Sequence, residues 1–265
     1  MTNAFSDRLR GYGRLNDEDE RLLAAACQNV RTLRAGHHLI REGDRPDPVF
    51  VILEGWACRY KLLPDGSRQI MTFMMPGDFC DIHIAVLEAM DHNIVTLTRT
   101  KVATLPRAKM QALVEARPTI TRAFWWAQLV DTGVLRAWVV SMGRRTAIER
   151  VSHLMCELYI RMRDVGLASH NRCEMPLTQL VLADALGLTP VHVNRTVKEL
   201  RQAGVMDLGR GWLTILRPAE MARIAGFDAN YLHQRLAGPG KFAVALAERT
   251  ATAGRAARGL TPAPQ

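Results

Sequence analysis

The spacing of apolar residues changes along this chain of 265 residues. Between Val30 and Pro106 they form short runs separated by glycine-containing turns, which is typical of β-strands. Beyond Pro106 they recur every three or four residues, which indicates α-helices. The sequence therefore predicts an α+β protein with an N-terminal antiparallel β-roll (jelly-roll-like), a long helix and a C-terminal winged helix-turn-helix.

The same changes of pattern set the expected boundaries. The roll should cover residues 15–115, the long helix 116–143 and the winged helix-turn-helix 144–230, with a flexible basic tail at 231–265. The opening of the chain, up to about Arg14, is expected to be loosely ordered. Residues 164–173 are expected to form a polar loop.

The most specific local pattern lies between Pro176 and Leu216. Gly187 stands where a tight turn between two helices needs a positive φ. Thr189 can cap the second helix, and Pro190 suits its first position, where no N–H is needed. Along this second helix one face is apolar and the other carries polar and basic residues. Such a helix is what a helix-turn-helix places in the major groove of DNA.

A hairpin follows the second helix. Val205–Leu208 and Trp212–Leu216 read as two strands joined by a turn at Gly209–Gly211. This hairpin is a predicted wing, and Arg210 at its tip is placed to reach a phosphate.

The long helix carries a second pattern, which we interpret as a dimer contact. Its apolar residues follow a spacing close to alternating three and four, as in helices that pack against a partner helix. The residues are Ile120, Phe124, Ala127, Val134, Trp138 and Ser141. Burial of the helix against its own roll would give a similar periodicity, and Asp131 interrupts the pattern.

The composition indicates which kind of partner and which compartment to expect. Lys and Arg total 35 against 26 Asp and Glu, so the net charge of +9 favours a polyanion such as double-stranded DNA. The five cysteines are scattered and form no C-x-x-C pair, which fits free thiols in a reducing compartment. No stretch approaches ~20 apolar residues, so we expect no membrane span and a cytoplasmic protein.

Taken in order, these features resemble the Crp/Fnr family of bacterial transcription regulators. The resemblance is carried by Gly36, Glu42-Gly43-Asp44, Val49 to Gly55, Asp65-Gly66, Pro76-Gly77-Asp78-Phe79 and the segment 178–216. It implies a homodimer that binds a near-palindromic site and recruits or blocks RNA polymerase. It also implies a roll of the cyclic-nucleotide-binding kind, often under the control of a signal.

The resemblance also assigns roles on the second helix. Arg195 falls where family members carry an arginine that contacts guanine, with His192 and Asn194 as the other polar candidates for base reading. Val191 stands where most members have Glu, and it can offer only an apolar contact. The residues assigned to phosphates are Thr178, Thr189, Lys198, Arg201 and Arg210.

The effector site departs from the family pattern. Members that bind cyclic nucleotides have a Gly-Glu pair after the Pro-Gly-Asp-Phe turn and later an Arg-Ser or Arg-Thr. This chain has Cys80-Asp81-Ile82-His83 and Met90-Asp91-His92-Asn93-Ile94 instead. The arginine that contacts the ligand's phosphate in those members is missing, so the site lacks the positive charge that would stabilise an anionic ligand. We therefore expect no requirement for a cyclic nucleotide. Cys27 stands alone near the N-terminus, which argues against the family's iron–sulfur mode.

Asp81, His83 and His92 form a candidate effector pocket. Two imidazoles and a carboxylate can bind a divalent metal, and one imidazole can bind haem iron. The alternative is a hydrogen-bonded polar pair in the roll. We assign no metal and no cofactor, and the effector is left unidentified.

Two other classes of function are the alternatives. A cupin-like metalloprotein would need a His-x-His with a following Glu, which the sequence lacks, and no nucleophile–base pair is evident, so no enzyme is expected. The other is a small-molecule or metal- and haem-sensing module whose helical domain binds protein. That module would bind a specific duplex no better than a random one.

Overall fold

The computed structural model describes residues 4–45, 47–80 and 87–233. The chain opens with two helices, α1 (Ala4–Tyr12) and α2 (Asp17–Ala26). The expectation of a loosely ordered opening is therefore wrong. Phe5 and Leu9 are fully buried, and the ring of Phe5 meets the ring of Phe79 edge-on at 5.5 Å. A single i, i+4 apolar pair is too short a pattern to predict a helix from the sequence.

In the part of the chain that the structure describes, seven strands make the predicted β-roll. They are β1 (Gln28–Leu33), β2 (His38–Ile40), β3 (Val49–Glu54), β4 (Ala57–Leu62), β5 (Arg68–Met74), β6 (Asn93–Thr96) and β7 (Thr100–Leu105). They pair antiparallel in a three-stranded sheet, β1-β7-β3, and a four-stranded sheet, β2-β6-β4-β5. Ile52 and Val102 of the first sheet pack with Met74 and Ile94 of the second. The predicted α+β class is confirmed.

One corner shows why glycine is needed in the roll. Gly55 joins β3 to β4 with φ +82, and a Cβ there would lie 2.5 Å from the carbonyl oxygen of Arg99. Both the left-handed backbone and the close approach of the turn between β6 and β7 exclude a side chain.

Two helices, α3 (Arg107–Ala116) and α4 (Pro118–Arg144), follow the roll. Ile120, Phe124 and Ala127 of α4 pack in one cluster with α1 and the roll. Val134 and Trp138 pack in a second cluster with Phe73 of β5 and the helix that follows α4.

The prediction of which face of α4 meets a partner helix is wrong. The residues assigned to that contact are Ile120, Phe124, Ala127, Val134, Trp138 and Ser141. All six are buried inside the chain itself. Their periodicity therefore comes from packing against the chain's own body, which was the alternative interpretation.

The C-terminal half is built around α5 (Ala147–Arg163), which is buried continuously from Val151 to Met162. Residues 164–173 do not form the expected polar loop throughout, because they include β8 and most of β9. The remaining elements are β8 (Ala168–Ser169), β9 (Arg172–Glu174), α6 (Gln179–Leu186), α7 (Pro190–Gln202), β10 (Met206–Gly209), β11 (Trp212–Ile215), α8 (Pro218–Ala225) and a 3-10 turn at Ala229–Leu232. Strands β8 and β9 extend the wing into a sheet of order β10-β11-β9-β8.

A buried ionic cluster joins the roll to the C-terminal half. Asp78, in the turn after β5, pairs with Arg8 of α1 at 3.1 Å and with Arg161 of α5 at 2.9 Å. Arg161 also pairs with Glu157 at 3.3 Å. Burial raises the pKa of Glu157, whereas the pKa of Arg161 is raised because the neighbouring carboxylates outweigh its desolvation.

The segment after α8 packs back onto α5 and α4, so the expected flexible tail does not begin at residue 231. The hydroxyl of Tyr231 donates to Glu157 at 2.9 Å, and the indole of Trp126 donates to the carbonyl of His233 at 2.8 Å. The carbonyl of Tyr231 lies so close to Gly133 that no side chain fits at that position of α4.

Candidate nucleic-acid interface

Helices α6 and α7 meet in the turn that the sequence predicts. Gly187 ends α6 in the left-handed region, with φ 61 and ψ 40. The hydroxyl of Thr189 accepts the N–H of His192 at 3.3 Å, and Pro190 is the first residue of α7. The helix-turn-helix is confirmed, with its turn at Gly187, the Thr189 cap and Pro190 at the first helical position.

Helix α7, the recognition helix, has one buried and one exposed face. The buried face holds Val193, Thr196, Val197 and Leu200, which fix the helix on the body of the domain. The exposed residues include all four that were assigned to base reading, namely Val191, His192, Asn194 and Arg195, together with Lys198. At 100° per residue, Val191, Asn194, Arg195 and Lys198 share one surface, and His192 lies at its edge.

Two of the residues assigned to phosphates act as helix caps. The Thr178 hydroxyl accepts the N–H of Val181 at 3.2 Å, as the Thr189 hydroxyl does for His192. Because each hydroxyl accepts in these bonds, its own O–H remains able to donate to a phosphate oxygen.

Arg201, which is also assigned to a phosphate, has partners within the domain. Its guanidinium pairs with Asp207 at 2.6 Å and also donates to the carbonyl of Leu208. These contacts hold β10 of the wing against the end of the recognition helix. The side chain of Arg201 is 49% exposed, so its assignment to a phosphate stays a prediction. The sequence did not predict the contacts with the wing, because those partners lie in the following strand.

The wing carries its arginine at the tip. Arg210 occupies the turn between β10 and β11 with φ 55, followed by Gly211 with φ 79, and it is exposed. Next to the wing, the guanidinium of Arg172 lies over the exposed ring of Trp212 at 4.3 Å.

The helix-turn-helix is attached to the roll by a polar contact. Arg68 of β5 pairs with Asp184 of α6 at 2.6 Å, and its guanidinium lies over the ring of Tyr60 at 5.5 Å. The amide of Gln69 lies 3.5 Å from the carbonyl of Ala185. No local sequence pattern indicated these contacts, because their partners are 116 residues apart.

Of the candidate effector pocket, only His92 can be placed. It is buried, and its Nδ1 lies 2.7 Å from the Asp91 carboxylate. Asp81 and His83 lie outside the described residues. Within the described ranges, no group of three His, Cys, Asp or Glu side chains is arranged to hold a metal ion. Nor does any described helix have the length and apolar character needed to cross a membrane.

Comparison with known proteins assigns both halves of the chain. A cyclic nucleotide-binding domain matches residues 30–117, and a Crp-like helix-turn-helix domain matches residues 149–224. The nitrogen fixation regulation protein FixK of Bradyrhizobium diazoefficiens is 29% identical over 191 residues, which are 72% of this chain and 79% of that protein. The transcriptional activator protein FnrL of Cereibacter sphaeroides is 25% identical over 218 residues, 81% of this chain and 87% of FnrL.

A solved structure has the same fold. FixK2 from Bradyrhizobium japonicum superposes with a TM-score of 0.67 at 22% identity, covering 74% of this chain and 96% of that structure.

Proposed function

This chain belongs to the Crp/Fnr family of DNA-binding transcription regulators, and from that membership we propose that it acts as a homodimer on a near-palindromic DNA site. Like its relatives, which are transcription regulators, it is a regulator and not an enzyme. In this proposal it works in the cytoplasm and recruits or blocks RNA polymerase at the promoters it binds.

The exposed surface of the recognition helix carries the proposal. Arg195 and Lys198 give that surface positive charge, and Asn194 and His192 add hydrogen-bonding groups of both kinds. Arg210 extends the positive charge to the wing tip, which suits contact with a phosphate. Val191, 75% exposed, supports apolar contact with a thymine methyl rather than the polar contact a Glu would make.

The dimer is supported by a face of α4 other than the predicted one. We name it the α4 outer face, made of Trp125, Leu129, Leu135, Val139 and Val140, all of which are exposed. The positions on this face alternate between steps of four and three residues, which is the spacing of paired helices. They are Trp125, Leu129, Thr132, Arg136 and Val139, of which Thr132 and Arg136 are the polar members. Exposed apolar side chains in such number on one helix favour a protein partner. A second copy related by a two-fold axis satisfies this geometry.

The proposal includes DNA binding without a cyclic nucleotide. Where family members place the arginine for the phosphate, this chain has Met90-Asp91-His92, and His92 is engaged with Asp91. A carboxylate in that place disfavours a bound phosphodiester.

Selection of binding sites from random duplexes tests the proposal. The expected result is a site with two inverted half-sites, bound by two protomers at about 150 mM salt without added nucleotide. If the selected duplexes bind no more tightly than random ones at that salt, the proposal is wrong. The module that senses a ligand and binds protein would then be favoured.

A further inference from the structure

Arg150 contacts three backbone carbonyls that come from two different helix ends. Its Nε donates to the carbonyl of Arg145 at 2.9 Å, and its Nη2 donates to that of Met142 at 2.8 Å. Its Nη1 donates to the carbonyl of Leu186 at 3.1 Å. Met142 lies in the last turn of α4 and Arg145 caps that helix, while Leu186 is the last residue of α6.

These carbonyls are suited to a cation. The last carbonyls of a helix lack partners within the helix and lie at the negative end of its dipole. A guanidinium has donors in a fixed planar arrangement, so it can hold several such carbonyls at set relative positions. Arg150 therefore fixes the end of α4 relative to the end of α6.

The turn of the helix-turn-helix packs directly on this contact. A Cβ on Gly187 would lie 3.5 Å from the sulfur of Met142 and 3.9 Å from Nη1 of Arg150. The recognition helix starts three residues later, at Pro190. Only a few residues therefore separate Arg150 from the recognition helix.

We propose that Arg150 is a positioning residue that sets the angle between α4 and the helix-turn-helix. This inference rests on the proposed homodimer, in which α4 lies along the dimer axis. The angle then determines the separation of the two recognition helices, and with it the half-site spacing that the protein prefers. Arg150 itself does not need to touch DNA for this role.

The test uses the full-length Arg150→Lys variant, which keeps the charge and a long stem but loses the planar arrangement of donors. Arg68 and Asp184 still hold α6 to the roll, so the variant is expected to fold. Arg144→Ala, which removes an exposed arginine from the last turn of α4, is the matched control. Fluorescence anisotropy measures affinity for a single half-site and for full sites whose half-sites are moved apart in one-base-pair steps.

We expect Arg150→Lys to bind the single half-site within about twofold of the wild type, because the base-reading surface is unchanged. Its affinity for the best full site should fall about tenfold, and its preference among spacings should flatten. Arg144→Ala should keep the wild-type spacing profile.

Two results overturn the inference. One is an unchanged spacing profile for Arg150→Lys. The other is an equal loss of affinity for the half-site and the full site, which is also what unfolding of the variant would cause. A wild-type protein that binds full sites no better than half-sites refutes the homodimer instead. That result is visible before any variant is made, so the two failures are distinguishable.

Discussion

At the scale of single residues, Arg195 combines exposure with the chemistry needed to read a base. Its two terminal nitrogens can donate together to O6 and N7 of guanine. We expect Arg195→Ala to cost about 1–3 kcal/mol of binding free energy at the specific site and to relax the preference at one guanine per half-site. Titrations against single-base variants of the site measure both effects.

Lys198→Ala provides the comparison for Arg195. A lysine that contacts a phosphate contributes to all sequences alike, so its removal should weaken every variant by a similar factor and reduce the salt dependence. If Arg195→Ala behaves in this way as well, Arg195 is a phosphate contact. Because Val191 replaces the usual Glu, we also expect a half-site that differs from the family's commonest ones.

His153 makes stability depend on pH. It is buried on α5 and stacks on Tyr231 with ring centroids 5.7 Å apart. Burial, aided by Arg145, lowers its pKa from 6.5 to about 3. The folded protein thus keeps this ring neutral while the unfolded chain takes up a proton below pH 6.5, so the free energy of unfolding falls as pH decreases from about 6.5 towards 3.

We expect His153→Phe, which keeps an aromatic ring, to remove about 1.4 kcal/mol per pH unit from this acid slope. Urea titrations between pH 7 and 5 measure it. His170→Asn is the matched control, since His170 is exposed and has a positive φ that Asn tolerates. The idea fails if both variants retain the full wild-type slope.

Residue-level features were predictable where their cause is local. Gly187, Thr189 and Pro190 were predicted because a turn and a cap depend on a few adjacent positions. Arg201 was not, since the carboxylate that engages it belongs to another element. The contacts of Arg150 cannot be predicted from the sequence, because its three partners are backbone carbonyls, which any residue type provides.

At the scale of elements, α4 shows the limit of periodicity. The helix is apolar on two faces, and the spacing of buried residues is the same whether the burial is within a chain or between chains. The sequence thus predicted the helix but assigned the wrong face to the dimer. A short helix such as α1 and the two-residue strand β8 were missed because neither repeats a pattern long enough to detect.

The two faces of α4 can be separated by placing the same charge on each. Val139 on the α4 outer face is 69% exposed, whereas Val134 is 1% exposed. We expect Val139→Asp to yield a folded monomer, because the charge is buried only in the dimer. Val134→Asp should lose about 3–5 kcal/mol of stability, because it buries an unpaired charge within the chain.

Light scattering and circular dichroism together decide between these outcomes. A Val139→Asp protein that remains dimeric at micromolar concentration would move the interface away from the α4 outer face. A Val134→Asp protein that is folded and monomeric would restore the face that the sequence suggested.

At the scale of the whole molecule, the segment after α8 packs back onto the helices that precede it. Tyr231 attaches it to α5 and His233 attaches it to α4. The hydroxyl of Tyr231 is one of the donors to the buried carboxylate of Glu157. We expect a chain that ends at Gly238 to match the full-length protein in melting temperature. One that ends at Gly226 should melt several degrees lower, because about 1–3 kcal/mol is lost when a buried carboxylate loses a donor.

Calorimetric melting of the two truncated chains tests where the fold ends. Equal melting temperatures for both would mean that the Tyr231 contact contributes nothing. A large drop for the longer chain would mean that residues beyond Gly238, which lie outside the described residues, add stability. The expectation of a flexible basic tail beyond Gly238 would then be wrong.

The last question at this scale is whether the roll must bind a nucleotide before the protein binds DNA. The roll and the DNA-binding half share a core, and Asp78, Arg8 and Arg161 already link them through buried ion pairs. Arg59, a buried arginine of β4, is paired with Asp131 of α4 at 3.5 Å. The cations described at this junction therefore already have anionic partners within the chain, and a phosphodiester would have to displace a carboxylate to reach them.

We therefore expect no heat in calorimetric titrations with cyclic AMP or cyclic GMP. Affinity for the selected DNA site should be the same with and without about 1 mM of either nucleotide, since a ligand that does not bind cannot shift an equilibrium. Asp131→Asn removes the carboxylate next to Arg59 and provides a matched comparison. If the wild type itself binds either nucleotide at micromolar concentration, or binds its site more tightly when the nucleotide is present, then the roll has kept a nucleotide site despite lacking the family's arginine. If only Asp131→Asn gains nucleotide binding, the internal ion pair is what excludes the ligand.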